Sequence, residues 1–91
     1  MTKTQAPTSV IEDYVKGIYH LEGEAAATTT LLAARLGVTA SSASAMVKRL
    51  DAMGLAAHAP YRGVRLTRQG RRLALSVVRR HRLLELFLTE S

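Results

Sequence analysis

Residues Leu31 to Thr67 constrain the fold of this chain most, because they read as two short helices on a tight turn followed by a hairpin. Leu31-Leu32-Ala33-Ala34-Arg35-Leu36 has helical amphipathic spacing, and Gly37-Val38-Thr39 is a turn. Thr39 suits the N-cap of a second helix, Ala40 to Met53, because its hydroxyl can accept from an otherwise orphaned first-turn amide; Gly54 stops that helix. Leu55 to Ala59 and Val64 to Thr67 then alternate as two short strands around Pro60-Tyr61-Arg62-Gly63. The predicted fold class is mainly α with a small two-stranded antiparallel β-wing, a winged helix-turn-helix. Units of this shape place one helix in a DNA major groove.

At 91 residues the chain has room for one small domain, and 47% apolar residues are enough to give it a core. With no cysteine, disulfides and thiolate metal sites are excluded, which fits a reducing compartment. No apolar run approaches the ~20 residues of a membrane span, and Met1 to Ser9 is too polar for a secretory signal. A cytoplasmic protein away from membranes is expected. No nucleophile–base pair, phosphate-cradling glycine loop or carboxylate pair at catalytic spacing is visible, so an enzyme is not expected.

The net charge of +6 is unevenly spread. Residues 1–34 hold Lys3 and Lys16 against Glu12, Asp13, Glu22 and Glu24. Residues 35–82 hold eleven Lys or Arg and a single acid, Asp51. Eight of the eleven are arginines between Arg62 and Arg82, running from the wing into the next helix, which points to a polyanionic partner. Arg71, Arg72, Arg79 and Arg80 themselves read as a solvated helix surface.

Three segments are expected: a polar, disordered arm over 1–8, the winged helix-turn-helix over 9–70, and a long helix over 68–91 capped by Thr67. Ser9 and Glu12 have capping-box spacing for a first helix running to about Glu22, with Val10, Ile11, Tyr14, Val15, Ile18 and Leu21 on its core arc. Thr28 to Thr30 offer a cap for the next helix. In the third, Ala43, Met46, Val47 and Leu50 face inward. The last helix carries a stripe of Leu73, Val77, Leu84 and Leu88, then turns apolar on every side at Leu83, Leu84, Leu86, Phe87 and Leu88. Such an end needs covering, either by a second copy or by a following domain.

The outer face of the third helix offers Thr39, Ala40, Ser41, Ser42 and Ala45 to base edges. All are small, so none makes the bidentate contacts that dominate direct readout. Site choice then rests on several weak contacts, groove shape and two-fold symmetry. Lys48, Arg49, Arg62 and Arg65 are the expected phosphate contacts, with Arg35 and Arg68 as further candidates. Tyr61 either packs on the wing or meets the sugar–phosphate backbone.

His81 and Glu85, four apart, share a helix face and are able to hold one cation. By helical projection His81 falls inside the apolar arc, and by spacing alone it reads as a core or rim histidine satisfied by a carboxylate. Asp13 reads as a first-turn acid on the polar side of its helix. His20 and His58, with no partner at ligand spacing, read as surface residues.

The stretches from Ser9 to Tyr19, Leu36 to Thr39, Pro60 to Thr67, Gly70 to Ala74 and Arg80 to Leu88 resemble the metal-dependent transcriptional repressors typified by the diphtheria toxin repressor and the manganese transport regulator. The resemblance spans almost the whole chain after residue 8. It implies a DNA-binding homodimer activated by Mn²⁺ or Fe²⁺ that represses metal-uptake genes. It also implies that residues 68–91 lead into a dimerisation and metal-binding domain absent from this chain, so that the site is incomplete here. Carried over, Asp13, His81 and Glu85 fall on metal-ligand positions, whereas Lys16 stands where some manganese regulators have a glutamate ligand. Aspartate at position 13 is a hard donor and tilts the expectation towards manganese. Two other readings stay open: a metal-independent winged-helix regulator, and a protein-interaction module using the apolar C-terminal helix.

Overall fold

In the computed structural model, which describes residues 8–24, 27–59 and 63–90 and the side chains of all of these but 24, 59 and 87–90, the first helix, α1, spans Thr8–Glu24. Its expected core arc is the observed one. Tyr14, Val15, Ile18 and Leu21 are buried, and Val10 and Ile11 pack half-buried against them. The expected capping box is not formed. Ser9 already lies inside the helix and Glu12 turns instead to Arg80 on the last helix, at 2.9 Å. Thr8 is helical as well, so it belongs to α1; the remainder of the expected arm lies outside the described residues.

Helix α2, Thr29–Leu36, opens on Thr28, whose Oγ1 accepts the Leu31 N–H at 3.0 Å, and closes on Gly37 in the left-handed region. Helix α3, Ala40–Ala52, follows at 110° to α2, within the range of helix-turn-helix pairs. The two share one apolar seam, with Leu32 and Ala33 buried on α2 and Ala43, Met46, Val47 and Leu50 on α3.

Strands β1, Ala56–Ala59, and β2, Gly63–Leu66, pair antiparallel with Ala56 opposite Leu66 and Ala59 opposite Gly63. Val64 and Leu66 are buried and Arg65 between them is exposed, the period-two alternation of a half-buried strand. Unforeseen in the sequence, Val64 also donates its N–H to the Ala27 carbonyl at 2.7 Å. Gly63 makes this possible: a Cβ there would lie 2.7 Å from the Ala27 carbonyl oxygen, and its φ of +84° favours glycine.

Helix α4, Arg68–Glu90, starts from Thr67, whose Oγ1 accepts the Gly70 N–H at 3.1 Å and donates to the Gly54 carbonyl at 2.6 Å. Its first half packs on the core through half-buried Leu73 and buried Ala74 and Val77. Its second half leaves the domain, and Leu83, Leu84 and Leu86 are each more than half exposed. His81 is exposed too, so the core or rim place expected of it is corrected: at this level α4 is leaving the apolar core, and Lys16 of α1 is the neighbour of the ring. No single helix among the described residues is long and apolar enough to cross a membrane.

Candidate nucleic-acid interface

Thr39 holds the head of α3. Its Oγ1 accepts the Ser42 N–H at 3.0 Å and donates to Ser42 Oγ at 3.0 Å, so both hydroxyls are pinned at the helix start. Replacing Thr39 by alanine removes the cap and should cost about 0.5–2 kcal/mol of folding stability, read as a lower urea midpoint. An unchanged midpoint would mean that the cap carries no weight.

Beyond the cap, Ala40, Ser41, Ser42, Ala45 and Lys48 are exposed and Arg49 is half-buried. Ser42, Ala45, Lys48 and Arg49 line one open groove of about 650 Å³, whose apolar side is made by Val10 and Tyr14 of α1 and Met46. Burial raises the Tyr14 phenol above its usual pKa, so it stays neutral beside these cations. The groove therefore presents small, close-approach residues at its head and two cations further along. That order suits a helix whose start meets base edges while its later turns meet phosphate.

Arg65 is not part of this groove. It is exposed on β2 and lines a separate depression of about 520 Å³ with Tyr19, His20, Glu22, Gly23 and Arg71. Tyr61 and Arg62 lie outside the described residues. Two contacts fix the wing against the helices, and neither was legible beforehand. The His58 N–H reaches Asp51 Oδ2 at 3.4 Å, tying β1 to the end of α3. The Glu22 carboxylate accepts the Leu66 N–H at 2.6 Å and pairs with Arg71 at 3.2 Å, joining α1, β2 and α4.

The arginines of α4 divide. Arg71 and Arg80 are exposed, as expected of a solvated surface, and in addition form ion pairs with Glu22 and Glu12 of α1. Arg72 and Arg79 are exposed as expected. Among the described residues, Lys48, Arg49 and Arg65 belong to no ion pair. Arg35 and Arg68 are exposed.

The candidate metal donors are placed differently. Asp13 is exposed on α1, in a depression of about 170 Å³ shared with Lys16, Gly17, His20, Arg35 and Leu36. His81 and Glu85 are exposed one turn apart on α4. Lys16 Nζ lies 2.9 Å from His81 Nδ1. Among the described residues no three His, Cys, Asp or Glu side chains come together as a donor set. As arranged, these residues do not fit a metal centre, and a lysine stands against one ring nitrogen of the candidate donor His81. His20 stacks edge-on against Tyr19 with ring centroids 5.7 Å apart.

Comparison with known proteins matches residues 7–64 to the family described as iron dependent repressor, N-terminal DNA binding domain. Residues 67–91 match that described as iron dependent repressor, metal binding and dimerisation domain. The HTH-type transcriptional regulator MntR of Lysinibacillus sphaericus is 40% identical over 83 residues, covering 90% of this chain and 60% of that protein. The transcriptional regulator MntR of Escherichia coli is 42% identical over 80 residues, covering 87% and 52%. The crystal structure of the transcriptional regulator Tm0710 from Thermotoga maritima is similar with a TM-score of 0.66 and 29% identity, over 91% of this chain and 61% of that one. The chain thus spans between half and two-thirds of the length of these relatives.

Proposed function

This chain belongs to the iron-dependent repressor family, and we propose that it is the duplex-DNA-reading part of a cytoplasmic, homodimeric transcriptional repressor governed by a divalent ion, Mn²⁺ ahead of Fe²⁺. The observation that carries the DNA reading is the α3 groove, where Ser42, Ala45, Lys48 and Arg49 share one open surface and neither cation is neutralised by an ion pair among the described residues. Thr39, Ala40, Ser41, Ser42 and Ala45 approach base edges. Lys48, Arg49, Arg62 and Arg65 hold phosphates. The exposed Leu83, Leu84 and Leu86 supply apolar surface for pairing with a second copy.

The ion is supported by the similarity to regulators, and Mn²⁺ by the hard carboxylate at Asp13. Asp13, His81 and Glu85 are the chain's candidate donors. Because their arrangement does not suit them to an ion, no step of DNA binding is assigned to it. The Lys16–His81 contact is the one observation that favours a metal-independent regulator.

The test is fluorescence anisotropy on duplex DNA across a salt series without metal. Neutralising about 4–6 phosphates per copy gives a log–log slope of roughly −4 to −5. A slope near zero contradicts the phosphate contacts and with them the function.

A further inference from the structure

We propose that Lys16 is a resident cation of the α1–α4 seam, whose ammonium closes His81 to a divalent ion and holds the two helices together without one. The inference rests on the reading of His81 as a candidate donor, and begins from the 2.9 Å contact between Lys16 Nζ and His81 Nδ1. An ammonium only donates, so Nδ1 must accept, and a neutral ring then carries its proton on Nε2. A metal ion needs a ring nitrogen without a proton. One nitrogen is therefore occupied by Lys16 and the other by hydrogen. An ion gains His81 only by displacing the lysine from Nδ1, or by a switch of tautomer that breaks the same bond. Lysine and metal are mutually exclusive at this imidazole.

Charge around Asp13 acts in the same direction. Its depression is lined by Lys16 and by Arg35 from the last turn of α2, two fixed cations against one carboxylate. Nor does the seam need an ion to stay closed. Glu12, one turn before Lys16, pairs with Arg80, the residue before His81, at 2.9 Å. Glu22 pairs with Arg71 further along the same two helices, at 3.2 Å. Glu12–Arg80 and Lys16–His81 tie one level of the two helices and Glu22–Arg71 another, later on α1 and earlier on α4, so together they register one antiparallel helix against the other.

Calorimetric titration of Mn²⁺ into the 91-residue chain and its Lys16→Met variant tests this, in metal-free buffer and with folding confirmed by circular dichroism. Methionine keeps much of the side chain's length and removes the charge. The variant should bind Mn²⁺ about tenfold more tightly, a change of the size that altering a ligand's neighbours produces. No gain in affinity, whether both proteins bind or neither does, overturns the proposal. Long-range ¹H–¹⁵N spectra of the unaltered chain supply a second readout that no misfolded variant can spoil. His81 should show Nδ1 unprotonated and Nε2 protonated, and a dominant Nδ1–H tautomer also overturns the proposal. Failure of the DNA reading would look different: the unaltered chain would show no salt-dependent DNA binding, with both His81 measurements still interpretable.

Discussion

Replacing Lys48 and Arg49 together by alanine should weaken binding to duplex DNA by about ten- to a hundredfold at moderate salt and flatten the log–log salt slope by roughly 2. Both side chains line the α3 groove, and neither takes part in an ion pair among the described residues. Their charge is thus available to an incoming phosphate rather than spent within the fold. Lys48 is exposed and Arg49 half-buried, so the double variant should fold with little change in stability. The loss should be similar on every duplex sequence, because phosphate contacts position a protein without reading bases. Arg80→Ala serves as the contrast. That guanidinium is already held by Glu12 on α1, and its removal should leave the salt slope within experimental error. Equal losses from the two changes would place the DNA surface on α4 and not on α3.

The second large effect is structural. Gly70 lies in the first turn of α4, and a Cβ there would overlap the Leu55 carbonyl oxygen and stand 2.9 Å from its carbonyl carbon and 3.1 Å from Leu66 Cδ2. The first two of these are backbone atoms and have no rotamer to escape into. The same Leu55 carbonyl accepts the Thr67 N–H at 3.0 Å, so the start of α4 and the base of the wing meet at one point. Gly70→Ala must push them apart, and a cost of about 3 kcal/mol or more is expected for such overpacking. In a domain of this size that corresponds to a fall in melting temperature of roughly 12–24 °C. Gly23→Ala is the same chemical change where nothing lies within 4 Å of the added methyl, near the end of α1, and should leave the melting temperature unchanged or slightly raised. If Gly70→Ala melted like Gly23→Ala, the close approach of α4 to the wing would be wrong.

What the amino-acid order made legible was local. The caps at Thr28, Thr39 and Thr67 follow from a hydroxyl standing just before a helical run, and each accepts a first-turn amide. The buried faces of α1 and α3 follow from 3.6-residue periodicity, and Arg65 facing out between Val64 and Leu66 follows from alternation. The illegible contacts join residues 44 to 68 positions apart: Glu22 with Leu66 and Arg71, Lys16 with His81, Glu12 with Arg80. No periodicity ranks one acid of α1 against another as the partner of an arginine on α4. Local spacing also misled at Ser9, where Glu12 was drawn to Arg80 in place of a capping box. At His81 a helical projection placed the ring in the apolar arc of α4, but that arc is buried at Ala74 and Val77 and exposed from Leu83 onwards.

The proposed DNA contact requires the α3 groove and, apart from it, the exposed Arg65 of β2, and backbone amide shifts during titration with a short duplex locate that contact directly. The largest perturbations should fall between Thr39 and Arg49, with a second group over Gly63–Leu66, while Leu83 to Leu86 stay still. Perturbations concentrated at Leu83 to Leu86, with Thr39 to Arg49 unmoved, would contradict it.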